Sequence, residues 1–313
     1  MPAVRHRQQE RRKQSRRRAV SILDKILGLF SSGKGKRKPV RIQDRFVLQG
    51  RLGQGSMSRV FRAYDRQLGR TVCLKILDKE KTKRFEQRFV GLNKPSEGAI
   101  CLSLRHRNVV TTYEYGISTE GEYFLVMELI EGLGLNYLIE TNSPALRGKR
   151  IPILVQAAEG LAYVHSQGFL HRDICPRNIL VTHDGVVKLI DFGLAIPNRP
   201  EFLRPGNRTG TANYMAPELI KRQATDHRVD LFALGVTAYE TITGKLPWEG
   251  TQSLQTMLSH LNEPPKHPLD VRADLDPAMV AFLLKAVERD RDKRFQSALE
   301  FRDALLALPR KDY

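Results

Sequence analysis

The string HRDICPRN at residues 171–178 carries Asp173 and Asn178, and twelve residues beyond Asn178 comes IDFG, in which Asp191 is followed two places on by Gly193. Each of these residues alone is an ordinary turn former. Together they supply one carboxylate, Asp173, able to take up a proton. They also supply two hard oxygen ligands, Asn178 and Asp191, of the kind Mg2+ accepts when nucleotide phosphates and water complete its shell. Upstream, GQGSMSRV at residues 53–60 contributes Gly53 and Gly55, whose bare backbone lets a phosphate approach closely. Taken alone, that string is better explained as a glycine-bearing hairpin. It opens no helix, which argues against a Rossmann dinucleotide loop. Lys75 lies inside the strand-like TVCLKIL, where a lysine costs desolvation unless it meets a carboxylate or a phosphate. A lysine at a strand edge can also extend its tip into water.

These residues need elements to hold them. From Phe46 on, FVLQGRLGQG, RVFRAYD and RTVCLKIL are short β-rich runs between glycine and polar turns, a pattern that predicts successive antiparallel strands. A helical stretch and two further strands, near VTTYEYGI and GEYFLVMELI, follow. After Gly132 the apolar residues recur every three or four positions, as in RIPILVQAAEGLAYVHSQG, VDLFALGVTAYETITG and DPAMVAFLLKAVERD, which predicts helices. A small β-rich half therefore precedes a larger α-rich half, and the fold class read from the sequence is α+β. HRDICPRN falls on a loop between a helix and the short strand ILVT, and loops so braced often carry catalysis. DGVVKLIDFG adds a turn, a strand and Asp191 at its end.

Bulk properties bound the function. With 41% hydrophobic and 27% charged residues, the chain falls among ordinary globular proteins. Its longest apolar run, residues 123–130, is interrupted by Glu128 and is far short of the ~20 residues that cross a bilayer. Cys73, Cys101 and Cys175 are odd in number, far apart and without CxxC spacing, which favours a reducing, cytoplasmic setting over a disulfide framework or a zinc site. The net charge of +18 is unevenly spread: residues 1–45 hold 15 Lys and Arg against Glu10, Asp24 and Asp44. The chain is a basic tail on a nearly balanced body. Within the tail, AVSILDKILGLF places Val20, Ile22, Leu23, Ile26, Leu27 and Phe30 near helical spacing, and SSGKGKRKP reads as a charged linker. The expectation is a largely disordered tail over residues 1–45 with one short amphipathic segment.

Seven separated strings, GQGSMSRV, VCLK, MELIEG, HRDICPRN, DFG, GTANYMAPE and RDRDKRF, occur in the order found in eukaryotic-type protein kinases, and residues 46–308 resemble that family. The resemblance implies a bilobal fold, an N-lobe over residues 46–130 and a C-lobe over residues 131–308, with ATP between the lobes. It implies that Gly53, Gly55 and Val60 cover the nucleotide while Lys75 holds its α- and β-phosphates. Met127 would stand beside the adenine pocket, with backbone groups of Glu128 and Ile130 bonding the adenine edge. Asp173 would orient a substrate hydroxyl and accept its proton, and Asn178 and Asp191 would hold Mg2+. Glu218 resembles the residue that pairs with a late arginine, here Arg294, and Asp230 resembles the helix aspartate that props the catalytic loop.

Four departures from the family pattern bear on activity. Ser58 replaces the third glycine of the phosphate loop. Cys175 replaces the lysine that serine/threonine kinases place two residues after the catalytic aspartate. Arg177, where tyrosine kinases resembling HRDLAARN carry an arginine, either reaches the same phosphate oxygens or is a solvated loop charge. Spacing from residues 105–108 selects Glu97 as the partner of Lys75; Pro95, favoured at a first helical position, would put Glu97 in the first turn, and Gly98 would loosen the helix. Finally, residues 191–218 contain no serine. Thr211 resembles the structural threonine of the GT motif, Asn207 stands where relatives place a phosphate acceptor, and Thr209, flanked by Arg204 and Arg208, is the expected autophosphorylation site.

GTANYMAPE resembles serine/threonine rather than tyrosine kinases, and the compact C-terminal end resembles bacterial members. The expected activity is transfer of the ATP γ-phosphate to Ser or Thr hydroxyls of a protein. The alternative is a pseudokinase that binds nucleotide or a partner as a scaffold, for which Cys175, Ser58 and Glu97 argue. For the tail, disorder with a frayed helical turn stands beside contact with an anionic membrane surface. Electrostatic contact with nucleic acid or with a kinase substrate is a third reading, and no specific nucleic-acid partner is predicted.

Overall fold

The structure is a computed structural model that describes residues 38–55, 58–206, 208–248 and 253–309. The amphipathic tail segment, Ser56 and Met57 at the tip of the glycine loop, and Asn207 lie outside the described residues. The chain divides into two compact units. The first takes the described residues up to Leu104 with Thr111–Leu129 and Tyr163–Phe169; the second takes Arg105–Val110, Ile130–Ala162 and the residues from Leu170 on.

In the first unit five antiparallel strands, β1 (Phe46–Gly55), β2 (Ser58–Asp65), β3 (Arg70–Leu77), β4 (Thr112–Ile117) and β5 (Tyr123–Met127), form one sheet in the order β1-β2-β3-β5-β4. Asp65 closes the β2–β3 turn by accepting from the amides of Gln67 and Leu68, a local side-chain bond that aspartate offers at turns. One face of the sheet buries Phe46, Ala63, Val72, Leu74, Ile76, Phe124 and Val126. Because side chains alternate along a strand, Val72, Leu74 and Ile76 on that face put Cys73 and Lys75 on the other.

Packed structure starts ahead of Phe46, inside the stretch that composition assigns to the tail. The Val40 amide donates to the Ile117 carbonyl at 2.9 Å, and the Val40 carbonyl accepts from the Thr119 amide. A short helix, Ile42–Arg45, follows. Arg45, 5% exposed, forks onto Asp65 at 2.8–3.0 Å and onto Glu114 at the same distances. A buried arginine needs such partners, and composition counts only its charge.

The helix Glu97–Ser103 begins at a Ser96 cap, whose hydroxyl accepts from the Ala99 amide at 3.2 Å. Pro95 thus stands outside the helix rather than at its first position, and Glu97 still falls in the first turn. Gly98 has a packing role: a Cβ there would sit 2.5 Å from Cγ of Tyr115 on β4, so only glycine lets the helix lie this close to the sheet.

The second unit is helical. Its core joins Leu154 and Leu161 of helix Arg150–Ser166 to Leu231 and Leu234 of Arg228–Thr243, Leu283 of Pro277–Ala286 and Phe301 of Ala298–Leu306. Caps set the last two helices: Asp276 accepts from Met279 with Pro277 at the first helical position, and Ser297 accepts from Glu300. Short strands follow: β6 (Gly132–Gly134), the two-residue β7 (Phe169–Leu170), whose Phe169 the first unit takes and whose Leu170 the second, then β8 (Ile179–Thr182) and β9 (Val187–Leu189), with β6, β8 and β9 in one small antiparallel sheet. The class is α+β, a sheet-built unit and a helical one, as the sequence pattern predicts.

Candidate active site

In the first unit, register gathers three of the expected nucleotide-binding residues. Gly53 on β1 pairs with Val60 on β2, and Val60 pairs with Lys75 on β3. Directly paired residues share a face, so these three form one row, and Gly55 continues β1 to its pairing with Ser58. A Cβ at Gly53 would meet nothing within 4 Å, so the demand for glycine here comes from what approaches the strand and not from the protein's own packing. Lys75 is buried, and its Nζ donates to Glu97 Oε1 at 2.6 Å. That carboxylate supplies the partner a buried ammonium requires. Along β5, Met127 pairs with Cys73, whose thiol is pushed up to about 11 by burial against the pull of Lys75. Glu128 directs its amide to the Thr111 carbonyl and takes the Thr111 amide on its carboxylate, which fixes the chain just past β5. Ile130 belongs to the second unit.

In the second unit, Asp173 lies at the centre of a bonded set. Its Oδ1 accepts from the Thr211 amide at 3.0 Å and from the Thr211 hydroxyl at 2.8 Å. Its Oδ2 accepts from Asn178 Nδ2 at 3.0 Å, and the same Nδ2 reaches the Asp173 carbonyl at 2.8 Å. The side-chain donors of Asn178 are thereby turned to Asp173, which leaves Oδ1 as the atom a cation would meet. Asp191 is brought to this neighbourhood by Ile190, whose amide donates to the Asn178 carbonyl at 3.0 Å and whose carbonyl faces His171 Nε2 at 3.1 Å. Asp191 itself sits at φ 62°, with Oδ1 accepting from the Gly193 amide. Among the described residues no group of three or more His, Cys, Asp or Glu converges to hold a metal. The protein's share of an Mg2+ shell would be Asn178 and Asp191, an arrangement suited to an ion whose other ligands are phosphate and water.

Cys175 and Arg177 divide sharply. Cys175 is 1% exposed, and its thiol is pushed up to about 11 by burial and by the charge of Asp173. It is a neutral packing group, and a shielded, protonated thiol is a poor nucleophile. Arg177 is exposed, and its Nη2 donates to Thr211 Oγ1 at 3.3 Å. A guanidinium therefore stands one residue away from the carboxylate of Asp173.

The remaining expected residues act on the loop from behind. Asp230, fully buried, accepts from the amides of His171 at 2.9 Å and Arg172 at 2.7 Å, and Arg172 takes the left-handed φ of 67°. Two N–H bonds to one carboxylate support a backbone angle that a non-glycine residue rarely adopts. Glu218 and Arg294 form a buried, two-pronged pair at 2.8 Å on each prong, and Arg294 also donates to the carbonyls of Glu288 and Arg289. The Thr209 hydroxyl is out of solvent and has no hydrogen-bond partner among the described residues. The segment would have to open outward for Thr209 to accept a phosphate.

Three residues of this set escaped the sequence. His171 is fully buried, takes the Asp173 amide on Nδ1 and packs its ring 4.7 Å from that of Phe192. Gly210, at φ 128°, lies where a Cβ would stand 2.9 Å from the Arg172 carbonyl; the glycine between two threonines was the available signal. Tyr214 donates to Glu240 at 2.5 Å; burial and that carboxylate raise the phenol, and burial raises the acid against the pull of the Tyr214 hydrogen bond. No local pattern links those two positions.

The family described as the protein kinase domain matches residues 46–304. The chain is 33% identical over 273 residues to a probable serine/threonine-protein kinase of Streptomyces coelicolor, covering 85% of this chain and 40% of that one. It is 32% identical over 276 residues to the serine/threonine-protein kinase PknB of Mycolicibacterium smegmatis, covering 86% and 43%. A serine/threonine-protein kinase of Myxococcus xanthus, pkn3, is 31% identical over 284 residues, covering 85% and 50%. The chain spans half or less of the length of each of these relatives.

Proposed function

The chain belongs to the protein kinase family, and from that premise we propose that it transfers the γ-phosphoryl group of ATP to serine or threonine hydroxyls of a protein. The observation that carries the proposal is the bonding of Asp173, whose two carboxylate oxygens are fixed by Thr211 and Asn178 within one loop set. A carboxylate so held is aimed before the substrate arrives, and positioning is most of what phosphoryl transfer asks of a protein.

In this proposal Asp173 orients the acceptor hydroxyl and takes its proton. Thr211 keeps the carboxylate in line and presents the edge against which an acceptor Ser or Thr would lie. Asn178 and Asp191 hold Mg2+, which when bound neutralises phosphate charge. Lys75, kept extended by Glu97, bonds the α- and β-phosphates, and the row Gly53–Val60 with Gly55 lies over the nucleotide. Met127 borders the adenine, whose edge bonds to backbone groups of Glu128 and Ile130. Arg177 supplies the cation that Cys175 does not. Glu218, Arg294 and Asp230 hold the scaffold, and Thr209 is the acceptor if the segment opens for autophosphorylation. The kinase body of the proposal is residues 46–308.

Among the described residues no helix is long and apolar enough to cross a membrane. Contact with an anionic lipid surface is proposed for the N-terminal tail, and sedimentation with liposomes at two salt concentrations, with and without residues 1–40, tests it. The central test is incubation of wild-type and Asp173→Asn protein with labelled ATP, Mg2+ and a generic basic protein. Label transfer by the wild type alone is expected. Nucleotide binding without transfer by either protein would instead establish a pseudokinase scaffold.

A further inference from the structure

A groove of about 420 Å3 lies on the first unit, on the sheet face opposite Lys75. Its floor includes Phe61 and Ile76, its wall is Ile42 of the short helix Ile42–Arg45, and Arg59 and Arg66 flank it. Leu48, another lining residue, is 49% exposed, an unusual amount for a leucine beside an apolar groove. Within the sheet Arg59 is already bonded to Glu122 at 2.7 Å, whereas the Arg66 side chain has no partner among the described residues.

We propose that residues 20–30 of this chain dock in that groove as an amphipathic helix, with Asp24 meeting Arg66. Leu23, Ile26, Leu27 and Phe30 fall at the i, i+3, i+4, i+7 positions that lay one helix face into an apolar groove. The segment needs such a surface, since a helix of this length is marginal in water and Gly28 weakens it further. Charge selects this part of the tail: residues 20–30 carry only Asp24 and Lys25, while the Arg-rich residues 5–18 would be repelled by the flanking arginines. The path of the chain favours an intramolecular fit. Val40 is fixed to the sheet edge by its two hydrogen bonds, and Ile42, two residues on, is already the groove wall. Residues 31–39, rich in Ser, Gly and Lys, are enough chain to span about 15–18 Å. That tether raises the local concentration of the segment to about the millimolar range, enough for a weak helix–groove contact to be populated.

The test is hydrogen–deuterium exchange on the full chain, with mass measured by light scattering at two protein concentrations. Wild-type protein is expected to show residues 20–30 and 42–48 protected as a monomer, by about tenfold over a Leu23→Asp/Leu27→Asp variant. Leu48→Glu, at a half-exposed position, is expected to remove the protection. Asp24→Arg and Arg66→Asp should each weaken it, and the two together should restore it. Equal exchange in wild type and the Leu23→Asp/Leu27→Asp variant overturns the proposal. So does protection that rises with protein concentration alongside a dimer mass, which would make the occupant a second copy. Protection seen only with phosphatidylserine–phosphatidylcholine vesicles would place the apolar stripe in lipid and likewise overturn it.

Discussion

Arg177 donates to the hydroxyl of Thr211 at 3.3 Å, and Thr211 donates onward to Asp173 at 2.8 Å. A cation is thus linked through one hydroxyl to the proposed proton acceptor, on a loop whose Cys175 carries none. Arg177→Ala is expected to lower kcat by about a hundredfold, the effect of losing a charge contact of about 3 kcal/mol in the transition state. KM for ATP should change far less, and Arg177→Lys should recover part of the rate. Steady-state kinetics with a protein substrate decides; an unaltered kcat returns Arg177 to the role of a solvated charge.

Gly98 and Tyr115 set the distance between the helix that carries Glu97 and β4. Gly98→Ala would push a methyl to within 2.5 Å of the ring, so the helix must shift and the Lys75–Glu97 contact with it. A loss of about 1–3 kcal/mol in stability is expected, with a fall in activity beyond what unfolding explains. Tyr115→Ala should restore activity in the Gly98→Ala background. Denaturant melts and phosphoryl-transfer rates on the single and double variants give the comparison.

The buried pair Glu218–Arg294 offers a test of the scaffold. Arg294→Met should cost about 3–5 kcal/mol, because it strands the Glu218 carboxylate out of water. Adding Glu218→Gln should return much of that loss. Urea midpoints of the three proteins measure it, and equal costs for the single and double variants would mean that Arg294 works through its carbonyl bonds alone.

Alkaline pH should find the two shielded thiols. Cys73 and Cys175 are raised to about 11 in the folded protein, against about 8.5 for a thiol in an unfolded chain. Burial favours the neutral form, so their contribution to stability is complete below the unfolded value and is lost as pH climbs toward about 11. Urea midpoints are expected to hold to about pH 8.5 and then fall. Cys175→Ala and Cys73→Ala should each flatten part of that fall.

What was legible in the sequence is what depends on order and spacing. Asp173, Asn178 and Asp191 sit on loops between short strands, so their separation along the chain carries most of their geometry. Glu97 was found by counting from residues 105–108, and the structure joins it to Lys75, 22 residues away. What was not legible depends on the solvent around a side chain. Nothing in HRDICPRN says that Cys175 faces inward while Arg177 faces out. Pro95 carried a helix-start signal, yet Ser96, with a hydroxyl to offer the Ala99 amide, took the capping position. Thr209 was singled out as a phosphate acceptor by its arginine neighbours, and its hydroxyl is turned away from water.

Arg45 fixes where a chimera or fusion can be joined. A junction at Phe46, the first residue of β1, would discard the guanidinium that neutralises Asp65 and Glu114, and a lone carboxylate with no access to water is among the more damaging defects a small sheet can carry. Grafts should therefore splice upstream of Val40, so that the transplanted piece brings its own counter-ion.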